Sequence, residues 1–149
     1  EALGAERAVN YRETDFVEAV REAASDGGVD VILDMVGRDY FQRNLDLLNL
    51  DGRLVIIALM SGATAEVNLA TMMRRRLIVT GSTLRARTVE QKTAVVDAVR
   101  DRVWPLFETG RLHPVIHQRL PLAQAAEAHR LMEASTHIGK LLLVTRASE

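Results

Sequence analysis

Two hydrophobic patterns alternate along this chain. In "TDFVEAVREAA", Phe16, Val17, Val20 and Ala24 recur at helical spacing, whereas "GGVDVILDMVG" gathers Val29, Val31, Ile32 and Leu33 into one short run. A stripe repeating every three or four residues predicts a helix with one buried face. A compact apolar run bounded by Gly28 and Asp34 predicts a strand buried on both faces. Asp15, with Glu18 three residues on, resembles a capping pair and sets the start of the first helix. The cycle then repeats: Phe41, Leu45 and Leu48 in "RDYFQRNLDLL" predict a helix, "GRLVIIAL" a strand, "AEVNLATMMRRR" a helix and "LIVTGSTL" another strand. Ahead of them all, "RAVNY" (Arg7 to Tyr11) predicts a short strand.

The segment from Thr88 to Glu108 opens with a capping box, Thr88 and Gln91, and offers Val95, Val99 and Val103 as inward positions. Gly110 marks its end, and Pro105 predicts a kink or break near Trp104. "HPVIHQRL" then predicts a strand, "PLAQAAEAHRLMEAS" a helix with Pro121 at its mouth, and "GKLLLV" a last strand. Continuous apolar strands alternating with amphipathic helices predict the α/β class, a parallel sheet with helices on both faces. Ligands of such sheets bind beyond the carboxyl ends of the strands. The turns "DMVG", "ALMSG" and "GSTLRAR" are therefore the candidate site. There Gly37, Gly62 and Gly81 either let backbone approach a ligand closely or simply let the chain turn.

Composition narrows the chemistry. With 48% hydrophobic residues the chain can bury a core, and no apolar run reaches membrane-spanning length. The net charge of −1 leaves no electrostatic footprint for nucleic acid or an anionic membrane surface. There is no cysteine, hence no disulfide framework or thiolate metal site. No basic, apolar signal segment stands ahead of the first elements, so the expected location is the cytoplasm. His113 and His117 are four apart, but Pro114 and Val115 between them predict strand or turn, so no metal is expected. The run Arg74 to Arg76 reads as solvated cations that complement a helix C-terminus. No acyl-transfer motif is present, and Asp34, though it ends a strand, lacks the acidic pair and lysine of a phosphoacceptor domain.

The opening "EALGA" reads as a last helical turn, with Gly4 suited to the left-handed residue past a helix end. "AVNYRE", "DVILDMVG", "GSTLRAR", "VWPLFETGRLHPVI" and "AAEAHRLMEASTHIGKLLL", in this order and spacing, resemble the C-terminal half of the zeta-crystallin-like quinone oxidoreductases of the medium-chain dehydrogenase/reductase superfamily. The resemblance covers essentially the whole chain, and "GSTLRAR" and "HIGKLLL" are its specific pieces. It implies an incomplete Rossmann-type dinucleotide-binding sheet. The Gly-rich phosphate loop of that fold has no match in these residues. With the usual strand order 3-2-1-4-5-6, "RAVNY" becomes strand 3 parted from strand 4, and is expected to be displaced, to find a new neighbour or to be completed by another chain. Residues 1–112 would be the partial nucleotide-binding domain and 113–149 a strand-helix-strand return segment.

The same resemblance implies an NADPH cofactor and a quinone or activated enone as hydride acceptor. It sets Tyr11 near the adenosine 2′-phosphate, although the residue pattern alone reads it equally as a tyrosine ending a strand. Val36 and Gly37 would approach the ribose and nicotinamide, with Leu59 and Met60 on the next loop. Ala58 departs from the glycine usual there. Ser82 and Leu84 correspond to the wall that receives the carboxamide, and Arg85 and Arg87 either line the cleft or stand as solvated cations. Lys140 reaches the cofactor or protects a strand edge. No residue takes a catalytic role, since the cleft is largely built from polypeptide outside this sequence, and the isolated chain is expected to be inactive. The family pairs subunits along the edge strand matching Leu77 to Leu84, which implies a homodimer. The alternatives are an enoyl reductase of the same superfamily and a non-catalytic dimerisation module.

Overall fold

A computed structural model describes residues 4–145 of the chain, which divides into two compact units, Glu1–Arg87 and Thr88–Glu149. In the first unit the elements run α1 (Phe16–Ala23), β1 (Val29–Asp34), α2 (Arg38–Leu47), β2 (Leu48–Ile56), α3 (Leu69–Arg75) and β3 (Ile78–Gly81). Asp15 caps α1 as expected, its Oδ1 accepting from the backbone N–H groups of Val17 at 2.8 Å and Glu18 at 3.3 Å. The three strands form a parallel sheet in the order β1-β2-β3, with Ile32 beside Leu54 and Leu54 beside Val79. Under it lies a core of Leu45, Leu48 and Leu54, with Ile32, Phe41, Ile56, Met72 and Val79 packed around. All three strands therefore point their carboxyl ends the same way, toward the turns singled out from the sequence.

The second unit holds α4 (Val89–Arg102), α5 (Trp104–Glu108), β4 (Ile116–Pro121), a 3-10 turn (Leu122–Gln124), α6 (Ala125–Ala134) and β5 (Lys140–Val144). Both halves of the Thr88–Gln91 capping box are made. The helix breaks at Val103, next to Trp104, as Pro105 requires. β4 and β5 pair in parallel around α6, forming a two-stranded sheet of their own.

Four expectations are corrected. "RAVNY" is not a strand: residues 7–10 are irregular and Tyr11 begins a turn. A strand exists only where its backbone groups find a ladder partner; here the segment is tied to α1 instead, Arg7 Nη1 donating to Ala19 O at 3.0 Å. β1 is not buried on both faces, since Val31 is 64% and Leu33 62% exposed, opposite the face that packs into the core. α4 buries no residue, and Val95 and Val99 are exposed. An apolar stripe shows which face wants cover, not that cover is present. Lastly, the arginine run is not merely solvated. Arg75 is half-buried and its Nη1 donates to Asp46 O at 3.0 Å and Leu48 O at 2.7 Å, at the C-terminal end of α2 rather than of its own helix. The helix tail expected at residues 1–3 lies outside the described residues, while Gly4 has the positive φ of 98° expected of it.

Candidate functional site

The three turns do converge in part. Asp34 ends β1 with 4% of its surface exposed, and its carboxylate accepts from the backbone N–H groups of Val36 at 3.1 Å and Gly37 at 2.8 Å. The side chain is thus spent on folding "DMVG" back on itself. An aspartate followed two and three residues later by positions needing an acceptor is a legible turn signal, one the sequence reading passed over.

Next to it runs the loop after β2. Met60 N–H donates to Met35 O at 3.2 Å, Ser61 N–H to Val36 O at 2.8 Å and Arg38 N–H to Gly62 O at 3.2 Å. Gly37 and Gly62 are bridged as a parallel pair outside the named strands. The Ser61 hydroxyl closes the arrangement, donating to Val36 O at 2.9 Å while accepting from Asp39 N–H at 3.0 Å. Two strand-end loops are therefore laced backbone to backbone. Gly37 is required at the crossing: its φ is 85°, and a Cβ there would stand 2.9 Å from Gly62 O and 3.1 Å from Leu59 Cδ2. Ser61 and Arg38 join this crossing without any spacing in the sequence to announce it, because their partners lie on another loop.

Among the residues expected at the site, Val36 is half-buried and Gly37 buried within this lacing, whereas Leu59 and Met60 stand exposed beside it with Met35. Ser82 follows β3, and its N–H donates to Ile56 O at 2.9 Å, so the third loop starts from the end of β2. Its hydroxyl accepts from Arg87 Nη2 at 2.9 Å, which engages Arg87 within that loop. Leu84 and Arg85 are exposed on the same loop. Lys140 belongs to the second unit, where it is exposed at the start of β5 and its N–H donates to Val115 O at 2.8 Å.

Tyr11 is brought to a different hollow of about 250 Å³, lined also by Arg12, Glu13, Asp15, Phe16, Tyr40 and Arg43. Arg43 stacks on the Phe16 ring with its guanidinium carbon 4.3 Å from the centroid, and pairs with Asp15 at 2.5 Å. Burial pushes the Asp15 carboxyl up, but the backbone N–H groups of Glu18 and Val17 and the Arg43 guanidinium outweigh it and hold the group below its ordinary range. Phe16 and Tyr40 also line the neighbouring apolar hollow of about 340 Å³, which reaches Asp34, Met35 and Val36. Tyr11 and the "DMVG" turn thus sit at two adjoining hollows with one pair of aromatic rings between them. Among the described residues no group of three or more His, Asp or Glu side chains is disposed to hold a metal ion.

Residues 3–143 match the zinc-binding dehydrogenase family. The human quinone oxidoreductase is 29% identical over 142 residues, 95% of this chain and 41% of its own length. The 2-haloacrylate reductase of a Burkholderia species is 31% identical over 153 residues, 97% of this chain and 44% of its own. Among solved structures, Escherichia coli quinone oxidoreductase complexed with NADPH superposes with a TM-score of 0.73 at 32% identity, covering 93% of this chain and 44% of that one. The chain therefore spans about two-fifths of the length of the relatives it matches.

Proposed function

The chain belongs to the zinc-binding dehydrogenase family, and from that premise we propose that it supplies part of the cofactor cleft of an NADPH-dependent quinone oxidoreductase. The observation that supports this reading is the lacing of Gly37 to Gly62, which ties two loops together at the carboxyl ends of parallel strands, where ligands of such sheets bind. Backbone at Val36 and Gly37 is assigned to the ribose and nicotinamide side. Leu59 and Met60 flank it, and Ser82, Leu84 and Arg85 form the wall for the carboxamide. The Tyr11 phenol donates to the 2′-phosphate from the adjoining hollow, which Arg12 and Arg43 line together with the carboxylates of Glu13 and Asp15. Lys140 is a further cation for the cofactor or the neighbouring domain.

Hydride donation to a quinone or activated enone is the chemistry that the bound nicotinamide supplies. The residues of this chain bind it, orient it and shield it from water. In this reading residues 1–112 belong to the nucleotide-binding domain and 113–149 to the return segment, and the protein is cytoplasmic. A homodimer forms along Leu77 to Leu84, consistent with β3 being a sheet edge with Ile78 exposed. The 149 residues carry no Gly-rich dinucleotide loop, so the chain alone is expected to reduce no quinone. A second reading, reduction of an activated carbon–carbon double bond, is favoured by the relative named 2-haloacrylate reductase.

The test is a titration of the purified chain with NADPH, followed by nicotinamide fluorescence, with NADH in parallel. Saturable binding that prefers NADPH is expected. No binding of either nucleotide would overturn the assignment of a cofactor site to these residues.

A further inference from the structure

His117 is the extra residue of a bulge. In the β4–β5 ladder Ile116 stands beside Lys140 and Gln118 beside Leu141, so β4 spends one residue more than β5 over this step. A bulge leaves its extra residue out of the ladder and re-aims its side chain; here that residue is an exposed histidine. The chain entering β5 comes close to β4 at the same place. Lys140 N–H donates to Val115 O at 2.8 Å, and Gly139, with φ of 95°, has room only for hydrogen, since a Cβ there would overlap that oxygen. His137 is carried in with this turn. Its ring centroid lies 6.0 Å from that of His117, the planes inclined at 66°. Spacing along the chain sets His117 beside His113, but the fold gives it His137 as its neighbour, while the His113 ring lies against Gly110.

The half-buried His137 is oriented by backbone: its Nδ1 lies 3.2 Å from Leu131 O in the last turn of α6. A carbonyl oxygen only accepts, so Nδ1 carries the proton and the lone pair of the neutral ring is on Nε2. One nitrogen tied to a carbonyl and the other left to ligate is the arrangement of metal-binding histidines. The distance also fits. With a metal–nitrogen bond of about 2.1 Å and a ring centre about 1.2 Å behind the nitrogen, two rings on one ion have centroids at most about 6.5 Å apart and about 5.3 Å at the tetrahedral angle. The pair stands between these limits, and the exposed His117 ring is free to turn.

We propose that His117 and His137 together bind one divalent transition-metal ion of the zinc type, through Nε2 of His137 and a ring nitrogen of His117, and that the ion staples β4 to the entry of β5. Imidazole nitrogen selects zinc, nickel or copper, whereas magnesium and calcium take oxygen. Two protein ligands are half of a closed structural set, in keeping with the lack of any group of three or more ligating side chains among the described residues, and water fills the other positions. β4 and β5 form a sheet of two strands, which is marginal by itself. An ion that binds only while they are paired stabilises the pairing. Neither histidine belongs to the cofactor reading, on which this inference does not rest.

The experiment titrates the full chain, without nucleotide, with zinc chloride in a non-chelating buffer, followed by calorimetry and by the histidine ring signals in NMR. One-to-one binding in the micromolar range or tighter is expected, moving the signals of His117 and His137 but not those of His113 and His129, and unaffected by excess magnesium. His117→Ala, at an exposed position that leaves the chain folded, should weaken binding about tenfold or more. His129→Ala should leave it unchanged. With free zinc at about a hundred times Kd, hydrogen exchange at the amides of Leu141 and Leu142 should slow by up to about a hundredfold. The proposal is overturned if zinc binds only at millimolar concentration, if His117→Ala binds it as tightly as the unaltered chain, or if bound zinc leaves exchange along β5 unchanged.

Discussion

The crossing of the two strand-end loops makes one substitution unusually informative. Gly37 combines a positive φ of 85° with ψ of −124°, a pairing closed to residues with a side chain, and its Cβ would meet a backbone carbonyl 2.9 Å away. In Gly37→Ala the conformation costs about 1–3 kcal/mol. Relieving the contact moves Gly62 O and loosens its bond from Arg38 N–H, a further ~0.5–1.5 kcal/mol. The sum is about 1.5–4.5 kcal/mol. Gly27 is the control: its φ is 68°, but a Cβ there meets nothing within 4 Å. Gly27→Ala therefore carries only the left-handed penalty, about 1–2 kcal/mol. Trp104 lies in the second unit, so tryptophan fluorescence is the wrong probe for this unit. Native-state hydrogen exchange at the amides of β2 reads its opening free energy directly. The expected result is a larger fall for Gly37→Ala than for Gly27→Ala, together with weaker NADPH binding in the former alone. Equal losses in the two variants would refute the claim that the crossing, rather than its backbone angle alone, needs glycine.

The remaining predictions concern the supports of this unit. Arg75→Met keeps the aliphatic bulk but removes the Arg75 donor from the carbonyls of Leu48 and of Asp46, the latter keeping Arg21 Nη2 at 3.4 Å, and should lower the same opening free energy by about 1.5–3 kcal/mol; a loss no greater than that of the solvent-facing Arg74→Met would contradict it. Asp15, whose folded-state carboxyl is held below its ordinary value of 3.8, contributes stability that is present above that value and disappears as the pH falls through the lower folded one. A pH series of stability should therefore show an acid-side decline that Asp15→Asn reduces. An unchanged decline would show that the α1 cap is not its source.

Much of this protein is determined by its sequence alone. Local spacing decided the element types, because helix and strand periodicity are properties of neighbouring residues: the Asp15 cap, the Thr88–Gln91 box and the break beside Trp104 all stand where they were read. The quoted motifs were enough for the family, and the candidate loops do lie at the carboxyl ends of parallel strands. What only the tertiary structure decided are the relations between residues distant in the chain. "RAVNY" has the composition of a strand, yet a strand needs a partner for its backbone, and that condition is not written in five residues. Arg75 reads as a surface cation until the end of α2 is seen beneath it. Gly37 reads as an ordinary turn residue until Gly62 is found 2.9 Å from where its Cβ would be. Each of these outcomes depends on which surface comes to lie opposite, and that is settled only when the elements pack.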